Sequence, residues 1–230
     1  MEELKAMTDA LMHRGPDGSG YEFSQNDIYQ LGLGHRRLSI LDLSENGRQP
    51  MYSADGNYVM VFNGEVYNFH EIRAWLLTKG YNFTSNSDTE VILYALIEEG
   101  VKAINRFIGM FAITFVDTIK QKVILIRDRV GVKPLYYTWN NKTLLFTSET
   151  RAFHKHNSFR KELNPRSVAD YLDFDYIKDG KSIFKSVNSV KPGHYLKLDL
   201  INRSVQEMEY WSVDNYFAKE NKSINIASAI

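Results

Sequence analysis

Short apolar runs that alternate with polar positions and end at turn residues recur along most of the chain. MFAITFV and KVILIR, joined through residues 117–121, predict a β-hairpin. PLYYTW and TLLFTS flank Asn140-Asn141, a pattern typical of two strands joined by a tight turn. IYQLGLG with HRRLSIL predicts another strand pair, and NYVMVF predicts a further strand. The pattern therefore indicates a protein rich in short strands.

Helical periodicity interrupts the strand pattern in four places. Apolar residues at helical spacing predict an amphipathic helix over residues 2–12. Cap residues mark three more helices: Asn68 before a helix that ends at Gly80, Ser87 with Glu90 before a helix that ends near Gly100, and Asn164-Pro165 before a helix to Leu172. Because strands and helices do not alternate regularly, we expect an α+β fold with antiparallel sheets and helices packed outside them.

Composition narrows the classes of partner. The 230 residues carry 28 basic and 28 acidic side chains, so neither a nucleic-acid surface nor an anionic-membrane surface is indicated. No run approaches about 18 apolar residues and the first residues lack an apolar signal core, so we expect a cytoplasmic protein that is not a membrane protein. The sequence has no cysteine, which excludes disulfides, thiolate metal sites and a thiol nucleophile within these residues.

Three polar positions lie beside apolar runs and suggest a common ligand. Arg37 in HRRLSIL would pair with a planar anion such as a carboxylate. Asn63-Gly64 offers a side-chain amide and an unhindered main-chain N–H, the donor types that form an oxyanion hole. Asp88 begins a predicted helix. Together they would hold an α-amino acid by its carboxylate, its side-chain carbonyl and its ammonium group.

Each position also has a simpler interpretation. Arg37 is equally compatible with a solvated surface arginine. Asp88 is explained by helix capping and the helix dipole. Asn63-Gly64 between a strand and an apolar stretch is typical of a type I′ hairpin turn. The histidines lack metal-ligand spacing, since His154 and His156 have no carboxylate or thiolate companion, so no metal site is predicted.

Longer motifs connect these positions to a known family. The chain resembles the glutaminase domain, a class II glutamine amidotransferase, of glutamine-hydrolysing asparagine synthetases. The motifs that carry the resemblance are HRGPDGSG (13–20), LGHRRLSILDLS (33–44), GRQPM (47–51), FNGEVYNF (62–69), SDTEV (87–91), GMFA (109–112), RDRVGVKPLYY (127–137), SE (148–149), PGHYL (192–196) and YW (210–211). They cover nearly the whole chain in the order of the family.

The resemblance implies a fold and a reaction. The fold is that of N-terminal-nucleophile hydrolases, an αββα sandwich of two mostly antiparallel sheets. Such domains hydrolyse L-glutamine to glutamate and ammonia, and the ammonia passes to a synthetase domain that activates aspartate with ATP and magnesium to make asparagine. No cofactor is therefore expected in this chain, and L-glutamine and a synthetase domain or separate synthetase chain are the expected partners. A homodimer is a further candidate assembly.

The resemblance also assigns roles by position. Arg37 corresponds to the residue that binds the glutamine carboxylate, with the main chain of Leu38, Ser39, Ile40 and Leu41 lining the pocket beside it. Asn63 and Gly64 fall on the oxyanion-hole pair, and Glu65 falls on a neighbouring glutamine contact. Asp88 falls on the residue that holds the substrate amine.

The chain departs from the family pattern at both ends. Family members begin with Cys-Gly-Ile, whose thiolate attacks the glutamine amide, whereas this chain begins Met-Glu-Glu. The Ser-Gly-Gly-x-Asp-Ser pyrophosphate loop of the synthetase domain is also absent from the 230 residues. The expectation is a glutaminase domain over residues 1–212 that lacks its first strand, and a tail or linker over residues 213–230. A misplaced start codon, a gene disruption or the choice of fragment would each explain this pattern.

Three functions remain open at this point. The chain belongs to a glutamine-dependent asparagine synthetase that is active once its nucleophile is present, or it is a catalytically inactive glutamine-binding or docking module, or it is a gene remnant. Its amidotransferase relatives also leave open an acceptor other than aspartate, such as a sugar carboxylate. On its own the chain is expected to be inactive and of low stability, because a lost strand exposes main-chain hydrogen-bonding groups.

Overall fold

The computed structural model describes residues 1–38, 45–140, 142–178, 180–215 and 217. The α-helices are α1 Glu2–Asp9, α2 Phe69–Thr78, α3 Asp88–Glu99 and α4 Pro165–Phe174, and 3₁₀ turns occupy Met12–Arg14, Glu45–Gly47, Gly100–Arg106 and Thr150–Lys155. The strands are β1 Gly18–Gln25, β2 Gln30–Arg37, β3 Met51–Tyr52, β4 Tyr58–Val66, β5 Gly109–Asp117, β6 Lys122–Arg127, β7 Tyr136–Trp139, β8 Leu144–Thr147, β9 Asn188–Ser189, β10 His194–Asp199 and β11 Ser204–Glu209.

A six-stranded antiparallel sheet in the order β11-β10-β6-β5-β4-β3 is the centre of the fold. Its strands bury apolar side chains on both faces, because successive residues of a strand point to opposite sides. On β4, Met60 and Phe62 pack with the residues of α2 and α3, whereas Val59 and Val61 pack with Leu31 and other residues of the second layer. The sheet therefore has helices on one face and strands on the other.

The second layer consists of two smaller antiparallel sheets, β1-β2 and β8-β7-β9. Helix α1 packs outside this layer, against β2 and against the 3₁₀ turn Thr150–Lys155. Met7 of α1 lies against a small apolar cluster that includes Leu145 and Phe153. The order of layers is thus helix, sheet, sheet, helix, and the predicted α+β sandwich is confirmed.

Most of the predicted elements are confirmed, whereas one helix end and one strand pairing differ from the prediction. The β5–β6 hairpin, the β7–β8 pair and the helices after Asn68, Ser87 and Asn164 are present. Helix α1 ends at Asp9, earlier than predicted, and a 3₁₀ turn follows it. The predicted pairing of IYQLGLG with HRRLSIL is wrong, because residues 30–37 form one continuous strand that pairs with β1.

The hairpin-turn interpretation of Asn63-Gly64 is also wrong, since both residues lie inside β4 and pair with Ala112 and Phe111 of β5. Gly64 has a φ of 153°. A Cβ atom at this position would overlap the Met110 carbonyl oxygen and approach the Phe111 Cα atom to 2.7 Å. Glycine is needed here for the close approach of two strands and not for a turn.

Replacing Gly64 with alanine is expected to lower the free energy of unfolding by about 2 kcal/mol or more, because β4 and β5 must separate to admit the methyl group. Gly18→Ala is the matched control in another strand, since its Cβ atom would make an ordinary contact of 3.7 Å with Arg37. Urea denaturation of the two variants measures the difference. Equal stability of Gly64→Ala and Gly18→Ala would contradict the close approach.

Candidate functional site

A cavity lies between the two small sheets of the second layer. β2 pairs with β1 and β8 pairs with β7, and within the described part of the chain neither has a strand on its other edge. Residues of both strands line a cavity of about 980 Å³, which α1 borders with Leu4 and Thr8, and β4 borders with Val61 and Asn63. We call this cavity the slot.

The size of the slot matches a short piece of extended chain. A strand residue advances about 3.4 Å, and it occupies about 4.8 Å across the sheet and about 10 Å between layers. The cavity is therefore large enough for a short segment of extended chain. The edges of β2 and β8 carry main-chain groups that such a strand would pair with.

The free edge of β4 supplies a main-chain donor beside the slot. β3 borders β4 at Val59 and Met60, so the later residues of β4 have a strand partner only on the β5 side. On the open side, the Phe62 N–H donates to Gln49 Oε1 at 2.6 Å and the Val66 N–H donates to Asp88 Oδ2 at 3.1 Å. The Gly64 N–H lies between them and points the same way, because alternate N–H groups of a strand share an edge. Among the described residues no acceptor takes its hydrogen.

The Asn63 side chain supplies a second donor. It lies on the same face of β4 as Val61, which is the face that borders the slot. Its Nδ2 atom donates to Ser148 Oγ at 3.2 Å, across 85 positions of sequence. The second Nδ2 hydrogen has no partner among the described residues. Asn63 and Gly64 thus offer two donors on adjacent residues, the donor types from which an oxyanion hole is formed, and the Asn63 side chain borders the slot.

Asp88 is the buried carboxylate of the site. It is the first residue of α3, with 5% of its surface exposed. Burial raises its pKa to about 6, the neighbouring Glu65 carboxylate also raises it, and hydrogen bonds from the main chain of Val66 and Thr89 act in the opposite direction. Asp88 therefore lies next to the end of β4 and changes its charge close to neutral pH.

Arg37 ends β2 and is held by the loop that precedes β1. The Asp17 N–H donates to the Arg37 carbonyl oxygen at 3.0 Å, and Arg36 Nε donates to the Gly15 carbonyl oxygen at 3.1 Å. Two residues earlier on the same face of β2, the His35 ring hydrogen-bonds to the main chain of Phe62. β2 therefore lies next to β4 near Phe62.

His35 is a residue of the slot that sequence reasoning missed. Its Nδ1 atom is buried without a hydrogen-bond partner in the part of the chain that the structure describes. Burial lowers its pKa to about 4, against the smaller effect of the Phe62 main-chain hydrogen bond, so the ring is neutral at pH 7. Nothing in the spacing of His35 distinguished it from a histidine of an ordinary strand.

The structure therefore brings together part of the predicted site. Asn63, Gly64 and Glu65 are consecutive on β4, and Asp88 bonds to the next residue of that strand. Leu38 follows β2 and is 55% exposed. The predicted substrate contact of Leu38 is made by its main chain and not by its side chain. The predicted pocket residues Ser39, Ile40 and Leu41 lie outside the described residues.

The described residues lack two other kinds of feature. No group of three or more His, Asp or Glu side chains there could hold a metal ion. No helix in the described ranges is long and apolar enough to cross a membrane.

Comparison with known proteins agrees with this geometry. Residues 1–211 match the model of a family described as a glutamine amidotransferase domain. Asparagine synthetase [glutamine-hydrolyzing] 2 of Bacillus subtilis is 36% identical over 228 residues, covering 97% of this chain and 30% of the relative. Amidase chry2 of Gibberella zeae is 36% identical over 226 residues, covering 97% of this chain and 32% of the relative. The chain thus spans about a third of the length of these relatives.

A solved structure shows the same fold at low sequence identity. The glutamine phosphoribosylpyrophosphate amidotransferase from Bacillus subtilis superimposes with a TM-score of 0.62 and 17% identity, covering 91% of this chain and 46% of that one. The match to the family model extends over all the strands of the three sheets and over the residues that line the slot. The chain therefore belongs to the glutamine amidotransferase domain family.

Proposed function

We propose that this chain binds L-glutamine at the edge of β4 and that the site serves glutamine hydrolysis. The observation that carries the proposal is that the Gly64 N–H and the second Asn63 Nδ2 hydrogen, on adjacent residues of β4, have no acceptor among the described residues. In water-shielded surroundings such donors stabilise the negative oxygen of a tetrahedral intermediate far more than they do in solvent. Family membership supports glutamine as the substrate.

Three charged groups would orient the substrate. The glutamine side-chain carbonyl points to the Gly64 N–H and the Asn63 amide, and the ammonium group lies at Asp88. Arg37, with the main chain of residues 38–41, takes the carboxylate, and Glu65 contacts the substrate beside Asp88. Each substrate group then meets a partner of opposite charge or a matching donor, so the amide carbon is fixed in position.

Hydrolysis requires a nucleophile that the 230 residues do not contain, since the sequence has no cysteine. In the proposed reaction a cysteine thiolate attacks the glutamine amide carbon, and the oxyanion forms at Asn63 and Gly64. The C–N bond then breaks and the nitrogen leaves as ammonia after taking a proton. Water hydrolyses the thioester to glutamate and restores the thiol. The slot is where an extended segment carrying that cysteine would pair with β2 and β8.

The asparagine synthetases among the relatives support a destination for the ammonia. We propose that it passes to an ATP-dependent synthetase, in the same or another polypeptide, which would hold ATP and magnesium and make asparagine from aspartate. The alternative is an amide acceptor other than aspartate, and one relative of this chain is named an amidase and not an asparagine synthetase. A second candidate function is glutamine binding without hydrolysis, favoured by the absence of cysteine from these residues.

Glutamine binding is expected to weaken at acidic pH because the ammonium group needs the ionised form of Asp88. With a pKa of about 6 in the free protein, about one molecule in eleven is ionised at pH 5. The Kd measured by calorimetry should therefore rise about tenfold between pH 7.5 and pH 5. Asp88→Asn should bind more weakly and lose this pH dependence, whereas the exposed Asp173→Asn should keep it. A wild-type Kd that is equal at both pH values would contradict the role of Asp88.

Ammonia release separates the two candidate functions. Residues 1–230 alone should bind glutamine without releasing ammonia. Addition of an eight-residue apolar peptide that begins Cys-Gly-Ile should restore release, because the strand fills the slot and places the thiolate near Asn63. The same peptide with serine in place of cysteine should bind equally well and remain inactive. Ammonia release without any thiol would contradict the mechanism, and binding of the cysteine peptide without release would favour the pure binding function.

A further inference from the structure

The Asn63 amide needs a partner to fix its orientation. The torsion that rotates a side-chain amide is broad and nearly two-fold, so packing alone seldom sets which way the N–H groups point. Ser148 Oγ accepts one Nδ2 hydrogen at 3.2 Å. Because the two hydrogens of an amide are coplanar, fixing one also fixes the other, which is the hydrogen that a substrate oxygen would use.

Ser148 is itself held in a fixed turn at the end of β8. Thr147 is buried and pairs with Tyr136 of β7. The Thr147 hydroxyl donates to the Glu149 carbonyl oxygen at 3.2 Å, and the Glu149 N–H lies 3.3 Å from the same hydroxyl oxygen. These contacts on both sides of Ser148 restrict its main chain. The hydroxyl is therefore presented to Asn63 from a rigid support.

Glu149 connects this turn to a second part of the site. Its carboxylate contacts His13 Nε2 and Arg14 Nη1, each at 3.0 Å, and lies 3.3 Å from Arg151 Nε. Burial acts to raise the pKa of Glu149, but the hydrogen bonds from His13 and Arg14 outweigh it and hold the pKa below its ordinary value. The carboxylate is therefore charged at pH 7 and anchors the loop that contains His13 and Arg14.

The anchored loop continues directly to Arg37. Gly15 packs so closely on the main chain of Arg36 that a Cβ atom would overlap it, and its carbonyl oxygen accepts from Arg36 Nε at 3.1 Å. Asp17 then bonds to the Arg37 carbonyl oxygen. A movement of the loop at Glu149 would therefore shift the end of β2.

We propose that the Ser148–Glu149 turn is a positioning element that sets the distance between the two ends of the glutamine site. Ser148 orients the oxyanion donor of Asn63. Glu149 holds the loop that supports Arg37, the residue assigned to the substrate carboxylate. The assignment of substrate groups rests on the proposed function, whereas the mechanical connection between Asn63, the turn and β2 does not.

Substitutions of Ser148 and of Glu149 are expected to change different kinetic constants. Ser148→Ala should leave the Kd for glutamine within about twofold and lower kcat about tenfold in the protein reconstituted with the cysteine peptide, because only the oxyanion contact loses orientation. Ser148→Thr keeps the hydroxyl and should restore kcat. Glu149→Gln should raise the Kd about fivefold with a smaller effect on kcat, since the negative charge that strengthens the contacts with His13 and Arg14 is lost. Glu162→Gln, on an exposed carboxylate that pairs with Lys185, is the matched control and should change neither.

A spectroscopic measurement tests the contact between Ser148 and Asn63 without an activity assay. The side-chain amide signals of Asn63 in an ¹⁵N–¹H spectrum are assigned by their loss in Asn63→Ala. Their hydrogen exchange should accelerate about fivefold in Ser148→Ala and stay at the wild-type rate in Ser148→Thr and Glu162→Gln. Unchanged Asn63 signals in a folded Ser148→Ala protein would overturn the proposal. If these signals respond but wild-type protein does not bind glutamine, the positioning element stands and the proposed function fails.

Discussion

The edge of β4 beyond Met60 is the constraint on which the site depends. A strand edge without a neighbour exposes every second N–H group, and each must find an acceptor. Gln49 satisfies the N–H of Phe62 and Asp88 satisfies that of Val66, so the edge is closed on both sides of Gly64. Among the described residues no acceptor takes the Gly64 N–H, and this is the donor that we propose a substrate oxygen uses. The same arrangement brings the ionisable Asp88 carboxylate next to that donor.

The remaining features follow from how the two layers meet at this edge. β4 turns Val61 and Asn63 toward the second layer, and the second layer is open between β2 and β8. Asn63 therefore borders the slot, and Ser148 reaches it from the end of β8. His35 joins β2 to β4 from the other side of the slot. Residues of β2, β4 and β8 thus meet around the slot because, among the described residues, no strand lies between β2 and β8.

Local signals predicted much of the fold and less of the site. The β5–β6 hairpin was visible because both strands alternate and their turn is short, and the helix after Asn164-Pro165 was visible because its cap is local. β1 was missed because GSGYEFSQ is rich in glycine and polar residues, and its pairing with β2 depends on a turn at Asn26. Asn63-Gly64 resembled a turn because the reason for the glycine is not local. That reason is the close approach of β5 at Phe111, 47 positions away in the sequence. The bond between Asn63 and Ser148 left no trace in the sequence pattern, since no periodicity connects them.

A crystal structure of the 230-residue chain with bound L-glutamine tests the central claim most directly. The account predicts that the side-chain carbonyl oxygen of glutamine lies within hydrogen-bonding distance of the Gly64 N–H and the Asn63 Nδ2 atom, about 2.7 to 3.2 Å. The ammonium group should lie at Asp88 and the carboxylate at Arg37. Glutamine bound elsewhere, or bound with its carbonyl oxygen turned away from Gly64, would contradict it.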